Sequence, residues 1–93
     1  MKSLIQTEKE CFVCGRKDDI HTHHIYEGTA NRKKSDKDGM IVYLCGRHHN
    51  LSTDGVHFNK TLDLAIKKLA QRKYEETHTR EEFIKRYGKS YLW

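Results

Sequence analysis

Two short pairs of residues constrain this chain more than anything else in it. Cys11 and Cys14 stand two residues apart in "CFVCG", and Cys45 and His48 repeat that spacing in "LCGRHH". Such a spacing fits a tight turn that aims both side chains at one ion, and two such pairs make the closed tetrahedral set of a structural zinc. Residues 15–44 lie between the pairs, enough chain for a hairpin whose two ends return to the same place. The chain has three cysteines, an odd number, which favours metal ligation over disulfides in a reducing compartment. Three buried free thiols are the alternative, but they leave the matched spacings unexplained. His48 and His49 are adjacent, and either can supply the fourth donor. His48 keeps the two-residue spacing and is preferred.

A staple is also what the composition calls for. The chain has 93 residues, of which 35% are hydrophobic and 33% charged. So short a chain buries little apolar surface on its own. Apparent zinc binding energies of about 10–16 kcal/mol appear as folding energy in such domains. The net charge of +5 and a pI near 9.2 point to a polyanionic partner, with nucleic acid ahead of a membrane surface. No apolar run approaches the roughly 20 residues of a spanning helix. The start "MKSLIQTEKE" lacks the apolar core of a signal peptide. The expectation is a cytoplasmic protein, in a bacterium or a phage-infected host. Its first ten residues read as a flexible leader and 11–93 as a single domain, with the knuckle and hairpin in 11–60 and helices in 60–93.

The fold class expected is α+β. "IHTHHIY" (20–26) and "MIVYL" (40–44) are rich in β-branched and aromatic residues and read as two antiparallel strands. "EGTANRKKSDKDG" (27–39) reads as a polar loop between them. From Lys60 to about Glu76, Leu62, Ala65, Ile66, Leu69, Ala70 and Tyr74 form a stripe at helical spacing, with Asn59 or Thr61 as cap. "TREE" at Thr79 is a capping box with Glu82, Phe83, Ile84 and Tyr87 share a face, and Gly88 suits a left-handed C-cap. The tail aromatics Tyr91 and Trp93 read as core packing, not as a platform for stacking bases.

If zinc takes His48, six histidines remain: 21, 23, 24, 49, 57 and 78. His78, between the helices, is expected in solvent. A hairpin pinned by the four knuckle donors brings His23 and His24 near His49 and His57. Adjacent strand residues point to opposite faces, so His23 and His24 cannot both bind one ion. One can bind metal while the other acts on substrate.

The succession "CFVCG", "HTHHI", "YLCGRHHN" and "GVHFN", spanning roughly Cys11 to Lys60, resembles the HNH (ββα-metal) endonucleases in their zinc-knuckle form. "LCGRHHNLSTDGVHFN" is most similar to small phage-type HNH proteins, including recombination-associated nucleases. The resemblance implies a ββα-metal fold and a metal-dependent phosphodiester hydrolase acting on DNA. It implies that His23 binds the catalytic metal and that His24 is the general base. His49, directly after the second knuckle, is implied as a ligand. The position expected for a further ligand is Thr53, a poor match, and His57 is the replacement. The family's middle Asn falls at Met40, with Asn31 and Asn50 out of place. That leaves the partner orienting His24 open among a backbone carbonyl, Asp36 and Asp38.

The implied chemistry is simple. An imidazole, with an ordinary pKa of about 6.5, accepts a proton from water at neutral pH. One divalent ion supplies Lewis-acid and leaving-group stabilisation, and the products implied are 5′-phosphate and 3′-hydroxyl ends. Imidazoles alone do not choose among Mg²⁺, Mn²⁺, Ni²⁺ and Zn²⁺. Arg32, Lys33, Lys34, Lys37 and Arg47 are the residues expected to contact phosphates, with little sequence specificity. Two other readings compete: a non-catalytic zinc module that binds DNA or a partner, and a fold holding two structural zincs. Cleavage specificity, protein partners and oligomeric state are left open.

Overall fold

The computed structural model describes residues 3–52 and 54–92. Thr53 and Trp93, singled out above, lie outside the described residues, as do Met1 and Lys2. The order of elements is β1 (Ile20–His24), α1 (Thr29–Asp38), β2 (Ile41–Cys45), α2 (Gly46–His49), α3 (Lys60–Tyr74) and α4 (Arg80–Tyr87). β1 and β2 pair antiparallel, from Ile20 opposite Cys45 to His24 opposite Ile41. This is the α+β, ββα-metal architecture expected, an antiparallel hairpin followed by helices.

β2 reads "IVYLC" and buries every residue but Tyr43 at least nine-tenths, so both of its faces are covered. A continuous apolar run, not an alternating one, is what such a strand needs. Its residues meet Ile25, Tyr26, Val56, Ile66, Ala70, Tyr74, Phe83 and Tyr87 in one core. Tyr26 is the hub of an aromatic group. Its ring centroid lies 4.5 Å from Tyr87, 5.3 Å from Phe83 and 5.5 Å from Tyr91. Tyr91 is thus committed to packing, and Lys67 and Lys89 lie over its ring.

α3 and α4 both begin where the caps predict. The Asn59 side chain accepts from the Leu62 N–H at the start of α3. Thr79 and Glu82 close the capping box of α4, and Gly88 ends it at φ 98°. The stripe on α3 differs in detail. Ala65 is exposed, while Gln71 is fully buried. Gln71 is tolerated there because its amide is used: Oε1 accepts from the Tyr91 N–H, and Nε2 donates to Glu75 and Ser90.

The expected polar loop 27–39 is instead largely helix. α1 has no apolar stripe, and Ser35 is its one buried residue. It is held by contacts from far along the chain. Asp38 accepts from Arg86 Nε and Nη2 at 2.5 and 2.9 Å and from the Tyr87 hydroxyl at 2.5 Å. Lys34 donates to the Arg86 carbonyl at 2.8 Å. Residues 3–6, expected in a leader, lie beside β2. Ser3 Oγ donates to the Ile41 carbonyl, Gln6 Oε1 accepts from the Tyr43 N–H, and Leu4 N–H donates to the Gly39 carbonyl.

Candidate functional site

The hairpin brings the two knuckle pairs together. Cys11, Cys14, Cys45 and His48 each offer a donor atom, all within 4.8 Å of one another. Donors about 2.3 Å (sulfur) and about 2.0–2.1 Å (nitrogen) from a tetrahedral zinc stand about 3.8 Å apart S to S and about 3.6 Å S to N. Cys14 Sγ lies 3.8 Å from Cys45 Sγ, and His48 Nδ1 lies 3.6 Å from Cys11 Sγ and 3.3 Å from Cys45 Sγ. The edges are those of a zinc tetrahedron, and the donor set fits the ion. Burial opposes ionisation of Cys11, but the N–H groups of Cys45, Cys14 and Val13 bring its thiol down to about 6. Cys14 accepts from the Arg16 N–H, yet the neighbouring thiols push it up. A divalent cation relieves that crowding of like charge.

His48, not His49, completes this set. The two are consecutive on α2, where one residue turns the helix by about 100°, so His49 is aimed elsewhere. It joins His23 and His57 in a second cluster whose donor atoms again lie within 4.8 Å of one another. His49 Nε2 is 3.0 Å from His57 Nε2. The ring of His23 lies 5.5 Å from that of His49 and 5.2 Å from that of His57. His23 is 3% exposed, and its Nε2 is buried without a hydrogen-bond partner. An orphaned buried nitrogen facing two more imidazoles is a donor set that fits a metal ion. Burial first, then the neighbouring imidazoles, push the pKa of His23 down to about 3 and that of His49 to about 4. Both therefore face the cluster as neutral donors.

The loop after α2 delivers His57. Its N–H donates to the His49 carbonyl, and the Val56 N–H donates to that of His48. Gly55 makes the return possible. A Cβ there would sit 2.7 Å from the His49 carbonyl oxygen and 2.9 Å from its carbon.

His24 lies outside this cluster, on the other face of β1. Its Nε2 is 2.6 Å from Asp36 Oδ1 on α1. Asp38, the other carboxylate considered, is committed to Arg86 and Tyr87. Met40 is fully buried in the core. An open pocket of about 500 Å³ is lined by His23, His24, His49 and His57 together, with Thr22 and Arg32 also on its wall. Of the other cations expected to face substrate, Lys33 and Lys37 are exposed on α1. Lys34 is half-buried and spent on the Arg86 carbonyl, and Arg47 pairs with Asp54 at 2.8 Å. His78 is exposed but stacked 4.1 Å from Tyr74.

Two residues beside the site had no assigned role. His21 Nδ1 is 2.9 Å from His49 Nδ1, and His21 Nε2 is 3.3 Å from Asp19 Oδ1. The alternation of β1 could have found His21, since it shares a face with His23. The chain is thus a small α+β domain with one Cys₃His and one His₃ cluster, each arranged to coordinate a metal ion. No protein-family model matches this chain, and neither does any curated protein or solved structure among those compared with it.

Proposed function

We propose that this protein is a divalent-metal-dependent endonuclease of the HNH type, hydrolysing DNA phosphodiester bonds with little sequence specificity. The phage or recombination setting implied by "LCGRHHNLSTDGVHFN" is part of the same proposal. The observation that carries it is a division of labour across one strand: His23 turns into the His₃ cluster, while His24 turns to a carboxylate, and both line one pocket.

Each residue has a task in that reading. Cys11, Cys14, Cys45 and His48 hold zinc and fasten the ends of the hairpin. His23, His49 and His57 would hold a second ion, which would supply Lewis-acid charge neutralisation and leaving-group stabilisation. Three imidazoles leave coordination positions for water and phosphate, unlike the closed knuckle. The Asp36 carboxylate is an acceptor only, so it places the proton of neutral His24 on Nε2. Nδ1 is then left to take a proton from the attacking water. Arg32, on the pocket wall, would contact the scissile or an adjacent phosphate. Lys33 and Lys37 would extend the grip, and affinity would fall with salt.

Incubation of supercoiled plasmid with zinc-loaded protein and Mg²⁺, Mn²⁺ or Ni²⁺ tests this. Nicked circles are expected with at least one ion and none with His24→Ala, whose zinc content and melting temperature stay near wild type. Intact plasmid with every ion, at every protein concentration, would sink the proposal.

A further inference from the structure

The His₃ cluster does not end at its three imidazoles. We infer that Asp19 and His21 form a relay behind His49, which fixes the tautomer and orientation in which His49 meets the ion. The inference rests on the metal reading of His23, His49 and His57 above.

The direction of the relay follows from its far end. The Asp19 carboxylate only accepts hydrogen bonds, so His21 must donate to it from Nε2. Neutral His21 then has only a lone pair on Nδ1, and it faces His49 Nδ1 at 2.9 Å. His49 must donate from Nδ1, which leaves the lone pair on Nε2. That is the atom turned toward His57 Nε2. Asp19, His21 and His49 therefore agree on one proton arrangement, and it presents His49 to a cation. A ligating imidazole commonly hands its second nitrogen to a carboxylate or carbonyl. Here one more imidazole is inserted.

The start of the relay is itself built in. Asp19 has φ 52°, a left-handed conformation that Asp tolerates better than most residues. There its Oδ2 and its own carbonyl both accept from the Gly46 N–H, at 3.2 and 3.1 Å. A Cβ on Gly46 would come within 2.5 Å of Asp19 Oδ2. The same glycine directly follows Cys45 of one cluster and stands three residues before His49 of the other. Asp19 thus ties the turn that starts α2 to the ligand that ends it. Neither His21 nor Asp19 belongs to the His₃ set, so both are positioning residues.

The test is a Co²⁺ titration of protein preloaded with one equivalent of Zn²⁺, followed by calorimetry and visible absorption. Wild type is expected to bind one Co²⁺ without thiolate charge-transfer bands. His21→Phe should bind it about 10- to 100-fold more weakly, with its zinc retained. His21→Asn, whose amide oxygen can replace Nδ1 as acceptor, should recover part of the loss. Long-range ¹H–¹⁵N spectra should place the His49 proton on Nδ1 in wild type. Equal Co²⁺ affinity in wild type and His21→Phe would overturn the relay while leaving the metal site standing. No Co²⁺ uptake by wild type would overturn the metal reading and the relay with it. If His21→Phe loses its zinc, Asp19→Asn decides, with weaker Co²⁺ binding expected and unchanged binding refuting.

Discussion

Replacing Asp36 by alanine should slow DNA nicking by about 10- to 30-fold and leave the fold in place. The carboxylate is 2.6 Å from His24 Nε2. The His24 side chain is 18% exposed, and that of Asp36 is 43% exposed. A hydrogen bond to a charged group contributes about 1.5–3 kcal/mol, and partial exposure of the acceptor argues for the lower half. At about 1.36 kcal/mol per tenfold in rate, about 1.5–2 kcal/mol becomes about 10- to 30-fold. Loss of the imidazole itself should cost more, because general-base catalysis is commonly worth about 10²–10⁴. The order His24→Ala worse than Asp36→Ala is thus part of the prediction. Stability should fall by no more than the same about 1.5–2 kcal/mol, since one partly exposed hydrogen bond between a neutral imidazole and a carboxylate is lost. The assay is single-turnover nicking of supercoiled plasmid with saturating Mn²⁺, with zinc content and thermal melts as controls. A change of twofold or less would refute the idea that Asp36 orients His24. A large rate loss accompanied by a collapse in melting temperature would refute the idea that its role is local.

Other substitutions probe the frame around that pair. Asp38→Ala strips three hydrogen bonds that join α1 to α4. It should cost about 2–3 kcal/mol and lower the melting temperature by on the order of 10 °C, which differential scanning calorimetry reads directly. A drop below about 3 °C would mean the contact contributes little. Gly55→Ala pushes a Cβ to 2.7 Å from the His49 carbonyl oxygen. It should therefore impair binding of the second ion while the Cys₃His zinc stays; calorimetric titration of the zinc-loaded variant checks this, and wild-type affinity would contradict it. The buried state of His23 gives a pH signature. Burial pushes its pKa from the ordinary 6.5 to about 3, so between those values the unfolded chain holds a proton that the folded chain does not. Stability from this group is full above about pH 6.5 and is lost as pH falls toward about 3. With only one equivalent of zinc present, wild type should lose stability relative to His23→Leu over that window and track it above. The comparison cancels the acid sensitivity of the thiolates, and parallel curves in urea titrations would exclude the proposed burial effect.

The parts of this molecule that a reader of the sequence can find are those whose signal is local. Cys11 with Cys14, and Cys45 with His48, announce themselves by spacing. The capping box at Thr79 and the cap at Asn59 lie within a few residues of the helices they start. The opposed directions of His23 and His24 follow from the period of a strand. α1 is the contrary case. "TANRKKSDKD" has no apolar periodicity, and the groups that hold it come from Arg86 and Tyr87, about half the chain away. No window along the sequence contains that information. Gln71 was missed for a related reason: its burial is made tolerable by Ser90 and Tyr91, which the α3 stripe does not include.

The helix that the pattern hid is also the one that bears on the chemistry. Asp36 and Asp38 stand two residues apart on α1, about 200° around a helix of 3.6 residues per turn. They therefore face opposite ways: Asp36 toward His24 on the hairpin, Asp38 toward Arg86 on α4. α1 is thereby a strut between the C-terminal helix and the proposed base. In the HNH reading, an Asn would stand where this chain has Met40, and Met40 is given over to the core. The orienting contact is then carried by a carboxylate on α1, and the rigidity of that helix depends on α4. That dependence separates this arrangement from a simple knuckle with a mobile loop. Asp38→Ala should lower the nicking rate as well as the melting temperature, with no change in Co²⁺ affinity at the His₃ cluster, because the hydrogen bond from α1 to the site, through Asp36, goes to His24. Loss of Co²⁺ affinity in that variant, measured at a temperature where it remains folded, would show that the two halves of the site are not independent.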